Sequence, residues 1–417
     1  MDSDRPTALV LDGDYDTSLV IARELTEDLE ATIVGIGTTR QSRLLRSTYC
    51  DYAAVVPPPE ESTYADALLA VITESRPDIV LPVGYESASS LDAIRSDVPA
   101  GVSVCLPPSE SFRTAADKRA TLETGHKLGI DTPTEYTALV SDLDADGRPS
   151  VSDRLPFPVF LKARTENGAA TTAPVDDAAD FWSTYDRIRA SAPENEVLIQ
   201  EYVDGSRSTY GCGVLCFDND VELVCTHEEL RSVPRHGGSG THLQLLDEPR
   251  FERDAIRLLR KIGWHGIALV EFKRRSDGTF VLMEINPKFW ASYALASRFG
   301  YRFASTIVAE HLGLEARSLT ETPETSGEMV FPLRELKYHL ENLDEASLSK
   351  YVKTVFGPDA AWDVDPRDLG AWLTPPPDVA QKVTSRRSSE NGIGTTATQN
   401  SNGESQSKSS SRGETYG

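Results

Sequence analysis

Lysine is scarce in this chain, supplying 11 of 42 basic residues against 65 aspartates and glutamates, so the formal net charge is −23. A surface this acidic repels nucleic-acid phosphates and anionic lipid headgroups, and neither is expected as a partner. The acidic residues are spread along the chain, a composition expected of a protein adapted to a high-salt cytoplasm. Cysteine is also sparse. Cys50, Cys105, Cys212, Cys216 and Cys225 are odd in number and scattered, which argues for reduced thiols and against structural disulfides. No apolar run approaches the roughly 18–20 residues that span a bilayer. Met1-Asp2-Ser3-Asp4 has the wrong charge for a targeting segment. The expectation is a soluble, cytoplasmic protein.

Several chemical signatures are missing as well. Leu11-Asp12-Gly13-Asp14 follows a β-rich run but has no Gly-x-Gly-x-x-Gly fingerprint, which argues against nicotinamide or flavin binding. No Gly-x-Ser-x-Gly elbow supports a serine hydrolase, and the biotin-attachment tetrapeptide Ala-Met-Lys-Met is absent. His227, His236 and His242 with Cys225 match no standard zinc spacing.

What is present is enough chain for two or three cores. Over residues 7–106, short β-rich runs at 8–11, 31–36, 52–56, 79–83 and 102–106 alternate with helical stretches, the pattern of a Rossmann-like parallel sheet covered by helices. A helix is expected from Ser109 through Asp117-Lys118 to Gly129, and a strand over Phe157–Lys162. Residues 141–154 read as a polar surface loop. Phe251, Ala255, Leu258, Leu259 and Ile262 share one face of a helix closed by Gly263. Residues 326–383 keep enough Leu, Trp and Phe to pack on the core. From 384 to 417 almost nothing is apolar, and disorder is expected.

The most informative stretch runs from Ile267 to Asn286, two β-rich segments around Asp277-Gly278, a hairpin signal. A two-residue turn there sets Glu271 directly across from Glu284, Val270 across from Ile285 and Phe272 across from Met283. Opposed carboxylates about 5 Å apart repel unless a cation lies between them. Asn286 shares the face of Glu284 and adds a hard oxygen ligand of the kind magnesium accepts. Pro287-Lys288-Phe289-Trp290 follows with a cation and bulky aromatics.

On these residues the chain resembles the ATP-grasp superfamily over about 109–310, in its carboxylate-amine ligase branch with biotin carboxylase and D-alanine:D-alanine ligase. Glu284-Ile285-Asn286-Pro287 is similar to the family's second metal motif, and Glu271 takes the place of its first metal-binding acid. The resemblance implies a two-subdomain ATP-grasp fold (109–196 and 197–325) after an N-terminal α/β domain (1–108), ATP between the subdomains, and two Mg2+ or Mn2+ ions. It also implies site residues. Lys118 and Lys162 would touch the phosphates, Gly168 would lie in the covering loop, and Gln200, Glu201, Tyr202 and Val203 would form the adenine hinge. Arg231, Lys288 and Arg298 would be the catalytic cations. The loop after Lys162 is poorer in glycine than the family's, and no acidic residue matches its ribose position. The implied reaction activates a small-molecule carboxylate as an acyl-phosphate and joins it to an amine, with a homodimer as one assembly. Carboxylation, phosphoryl transfer to another acceptor, or a non-catalytic ATP-binding regulator are the alternatives.

Overall fold

The alternating N-terminal runs fold as expected. The computed structural model describes residues 5–140, 148, 150–165, 171–193, 195–205, 208–218, 220–234, 238–314, 322–342, 348–357 and 360–372. Gly168, the expected tail from 384 and most of the 141–154 loop lie outside these residues. Strands β1 (Thr7–Val10), β2 (Thr32–Gly37), β3 (Tyr52–Val55), β4 (Ile79–Leu81) and β5 (Ser103–Val104) pair in parallel in the order β3-β2-β1-β4-β5. Helices α1 (Asp16–Leu29), α2 (Tyr64–Ser75) and α3 (Tyr85–Ala93) connect them. Because both faces of the central strands are covered, β1, β2 and β4 are buried and almost wholly apolar. Ala8, Val10, Ile33 and Leu81 pack on one side with α1, and Leu9, Val34, Ile36 and Val80 on the other with α2. The direction of winding reverses between β1 and β4, so their carboxyl ends border the crevice where open α/β sheets bind ligands.

The helix expected over 109–129 is two helices, α4 (Ser109–Ala116) and α5 (Lys118–Lys127). Asp117 breaks it: its backbone is extended, and its carboxylate caps α5 by accepting from the Arg119 and Ala120 N–H groups. Asp117 also binds Arg164. Continuous periodicity hides such a break, because the competing partner lies 47 residues away.

Strands β6 (Val159–Ala163) and β7 (Thr172–Val175), helix α6 (Phe181–Ser191) and strand β8 (Val197–Glu201) follow. They form an antiparallel sheet in the order β7-β6-β8. Val159, Leu161 and Ile199 pack beneath α6 with Phe181 and Ile188. Phe160, Lys162, Leu198 and Gln200 therefore share the opposite face.

The largest sheet is built from β9 (Thr209–Phe217), β10 (Asp220–Val233), β11 (Ser239–Leu246), β12 (Gly266–Arg274) and β13 (Phe280–Asn286), with helix α7 (Pro249–Lys261) between β11 and β12. Helices α8 (Tyr293–Arg298) and α9 (Phe303–Leu312) come next. Then come β14 (Glu328–Val330), α10 (Pro332–Glu341), α11 (Leu348–Val355), β15 (Ala360–Trp362) and α12 (Leu369–Trp372). The strand order is β13-β12-β9-β10-β11-β14-β15. The expected apolar stripe of α7 buries Phe251, Ala255, Leu258 and Leu259 against Cys212, Val270, Phe272 and Ile285 on one face of this sheet. Cys212 and Cys216 are thus core residues, and all five cysteines are free thiols. No helix among the described residues is long and apolar enough to cross a membrane.

Helices α8 and α9 dock on α1 of the first sheet. Glu24 of α1 is fully buried there and accepts hydrogen bonds from Tyr293 Oη (2.7 Å), Ser297 Oγ (2.7 Å) and Ser305 N (3.0 Å). Glu24→Ala leaves those three donors unsatisfied in a dry environment, and the expected loss of stability is about 3 kcal/mol. Denaturant unfolding measures it, with Glu24→Gln expected to lose less. A second clasp joins the C-terminal segment to the first sheet, where Asp368 accepts from Ser47 Oγ (2.5 Å) and Thr48 N (2.9 Å).

Candidate active site

The other face of the largest sheet carries the polar residues. Cross-strand registers align His227, Gly211, Glu271 and Glu284 in one row over β10, β9, β12 and β13. Leu269 and Asn286 pair one step along, and Glu229, Thr209 and Lys273 one step the other way. Gly211 matters because a Cβ there would lie 2.4 Å from the His227 ring. Between this face and the Phe160–Lys162 face of the small sheet is a cavity of about 430 Å³, lined among others by Lys162, Glu229, Glu271, Lys273, Glu284, Asn286 and Lys288.

Glu271 and Glu284 are paired as the turn signal implies, but by a different route. The connection has three residues, not two. Gly278 N donates to Arg275 O, Arg275 N donates to Thr279 O, and Gly278 takes the left-handed conformation at φ 90° that closes such a loop. That register would slip the glutamates past each other. Met283 restores it by bulging out of the ladder, so Phe272 pairs with Leu282 and not with Met283. The bulged Met283 carbonyl accepts from Lys162 Nζ at 3.0 Å, which ties the small sheet to the site.

The electrostatics follow from burial. Glu271 titrates well above the usual carboxylate range because burial, then the Glu284 charge, disfavour its ionised form. Burial pushes Glu229 up to about 7. It also lowers Lys162 to about 8 and depresses Lys273 and Lys288. Asn286 Nδ2 donates to Glu271 Oε1 at 2.7 Å, leaving its amide oxygen available. Two carboxylates and an amide oxygen suit a magnesium ion, which takes oxygen ligands and keeps positions for phosphate and water. Among the described residues no group of three or more His, Cys, Asp or Glu side chains is placed to hold a metal ion.

Lys118 is buried at the first turn of α5, its ammonium 3.8 Å from Glu284 Oε2. Gln200 is completely buried, and among the described residues neither its amide oxygen nor its nitrogen has a hydrogen-bond partner. Such a pair of orphaned groups fits a ligand with both a donor and an acceptor edge, as adenine has. Glu201 is engaged elsewhere, accepting from Arg275 and from Thr134 N at 3.1 Å. Tyr202 and Val203 continue into the loop after β8.

The expected catalytic cations separate. Lys288 lines the cavity. Arg231 does not: Leu230 drops out of register before it, and its guanidinium binds Glu335 Oε1 at 2.8 Å and His242 Nδ1 at 2.9 Å. The physical reason is Glu335, whose fully buried carboxylate requires a cation. Arg298 ends α8 on its exposed side, away from the cavity. The cavity residues missed in the sequence are Glu229, Lys273 and Lys337. Scarcity of lysine was a usable signal for Lys273, two positions beyond Glu271 and hence on its face.

Lys162 gives a pH dependence. Its folded value of about 8 lies below the ordinary 10.5, so between these the unfolded chain holds more protons and this lysine's contribution to metal-free stability rises with pH. A polyanion needs the opposite, the charged ammonium. ATP affinity measured by calorimetry is therefore expected to fall as pH rises from about 7 to about 9, and this slope to be shallower in Lys162→Met.

Comparison with known proteins bears on the family and the fold. Residues 117–313 match the family model for the carbamoyl-phosphate synthase L chain, ATP binding domain. The carbamoyl phosphate synthase large chain of Campylobacter jejuni is 25% identical over 328 residues, which cover 74% of this chain and 29% of the relative. This chain thus spans less than a third of that protein. The biotin carboxylase domain dimer of Hydrogenobacter thermophilus 2-oxoglutarate carboxylase, solved with MgADP, ADP and bicarbonate, superposes with a TM-score of 0.62 at 16% identity over 78% of this chain and 73% of that one. The L-amino acid ligase of Bacillus licheniformis does so at 0.55 and 13% identity, over 78% and 79%. At these identities the two structures share the fold with this chain.

Proposed function

We propose, for a chain that over residues 117–313 belongs to the ATP-grasp ligase family of carbamoyl-phosphate synthase and biotin carboxylase type, that its reaction joins a small-molecule carboxylate to an amine. The observation that carries this reading is one cavity that collects Glu271, Glu284 and Asn286 with Lys162 and Lys288, and with Lys118 behind Glu284.

The ammonium groups of Lys118 and Lys162 hold phosphate oxygens, and the unpartnered Gln200 amide takes the base. Glu271, Glu284 and Asn286 hold magnesium, with manganese as a substitute. The bound metal supplies charge neutralisation on the phosphate oxygens during transfer. Lys288 orients the substrate carboxylate. A carboxylate oxygen attacks the γ-phosphorus of ATP and ADP departs, leaving an acyl-phosphate. The amine nitrogen then attacks the acyl carbon, loses a proton and expels inorganic phosphate. Glu229, also on the cavity and half-protonated near neutrality, is suited to receive that proton.

A phosphate-release screen with ATP, magnesium and a matrix of amino acids and carboxylates in high salt tests this reading. Release that needs both an acid and an amine, with an amide product, is the expected result. Bicarbonate in the 2-oxoglutarate carboxylase complex motivates the second reading, carboxylation. Release driven by bicarbonate without any amine would favour that reading.

A further inference from the structure

Helices α10 and α11 turn polar groups inward and apolar ones to solvent. On the inner side, the fully buried Glu335 carboxylate of α10 accepts from Thr241 Oγ1 (2.6 Å) and Arg231 Nη2 (2.8 Å) and lies 3.1 Å from His339 Nε2. Thr354 Oγ1 of α11 accepts from the same Arg231 Nη2 at 3.1 Å. The outer side of α10 carries Leu333, Leu336 and Leu340, spaced i, i+3, i+7. That of α11 carries Leu348 and Val352, continued by Phe356 just past the helix, spaced i, i+4, i+8. These side chains are between 37% and 74% exposed. The His339 and Tyr351 rings are 5.8 Å apart, so the two stripes border one helix pair.

An apolar stripe facing water on each of two neighbouring helices is the mark of a surface that another molecule covers. Its charge says which kind. Three of the chain's 11 lysines, Lys337, Lys350 and Lys353, are exposed on these two helices. Lys337 lies between Leu336 and Leu340 in the chain and Lys353 between Val352 and Phe356, so both flank the stripes. Among the described residues of the two helices the one exposed acid is Glu341, 3.8 Å from Lys337. Asp344 and Glu345, in the connection, lie outside the described residues. The face is therefore apolar and basic on a protein whose net charge is −23.

That pairing disfavours three other occupants. A second copy meeting like face to like face opposes lysine to lysine. The chain's own residues 373–417 hold five basic residues to four acidic ones and little that is apolar, so they complement neither property. An anionic membrane is a wide plane that would bring the acidic remainder of the surface close to like charge, whereas a narrow segment meets the lysines alone. We propose that α10 and α11 form a docking face for an amphipathic acidic helix of a partner protein, its apolar side on the two stripes and its carboxylates on Lys337, Lys350 and Lys353. Lys337 also lines the active-site cavity, so the docked partner borders the site.

Fluorescence anisotropy with the full chain tests it, using a labelled designed helix of about 18 residues, five turns, with leucines on one side and glutamates on the other. The controls are the same helix with lysine for glutamate and with serine for leucine. Charges brought together beneath an apolar helix are screened less than open ones, so the titration is run in the buffer of the phosphate-release screen. The acidic apolar helix is expected to bind about tenfold or more tightly than either control. Joint Lys350→Glu and Lys353→Glu substitution, and separately Leu340→Ser, are each expected to weaken it about tenfold with the thermal melt unchanged, because all three positions are exposed. Equal binding of the lysine helix, or wild-type affinity in both variants, overturns the proposal. So does tighter adsorption to phosphatidylglycerol vesicles than to the acidic helix, which assigns the face to a membrane. A dimer in analytical ultracentrifugation that Leu340→Ser dissociates overturns it in favour of a second copy.

Discussion

Glu284→Gln is expected to lower ATP turnover by about 10³-fold or more with the fold intact, equivalent to about 4 kcal/mol of lost transition-state stabilisation. The substitution keeps the side chain's shape and removes one of two carboxylates that face each other across β12 and β13. Its effect on the metal-free protein should have the opposite sign. Glu271 now titrates high because burial and the Glu284 charge oppose its ionisation. Removing that neighbour relieves a like-charge pair, so the metal-free melting temperature is expected to hold or rise. Magnesium-dependent thermal stabilisation should disappear together with turnover. A variant that keeps turnover within a few-fold of wild type would sink the metal assignment.

Lys162→Met carries the second large expected effect, a fall in kcat/KM for ATP of about 10²–10³-fold, the usual result of removing one charged group from developing phosphoryl charge. Lys162 is buried on the inner face of the small sheet. Its ammonium is held there against the cost of desolvation, which is why its pKa falls to about 8. Methionine fills similar volume without that cost. Folding stability is therefore expected to survive, with a small penalty from the unpaired Met283 carbonyl. Steady-state kinetics and thermal melts on the same preparation separate the two roles. If kcat/KM falls only in proportion to lost folded protein, Lys162 is structural.

The two predictions differ in how they could be read from the sequence. Glu271 and Glu284 lie in one hairpin, where alternation and turn chemistry bring residues together over a short span. Even there the pairing emerged from two deviations that offset each other, a longer loop and a bulge at Met283. Neither has a distinctive residue signal. Lys118 and Lys162 were visible only through resemblance. No local pattern states that α5 and β6 meet the hairpin from different sides, with Lys118 near Glu284 and Lys162 on the Met283 carbonyl. Arg231 illustrates the converse. Its neighbourhood resembled an active-site loop, yet Glu335, more than a hundred positions later, takes its guanidinium.

By itself, then, the sequence determined what depends on neighbours along the chain: the parallel β/α rhythm to residue 106, the apolar stripe of α7 and the opposed glutamates of the hairpin. Local hydrogen bonding and side-chain periodicity suffice for these. Tertiary structure alone decided which distant groups converge on one cavity, namely Lys162, Glu229 and Lys273 beside the glutamates. Burial and Coulomb interaction depend on distance in space. A carboxylate such as Glu229 acquires its raised pKa only when sheets separated in sequence close around it.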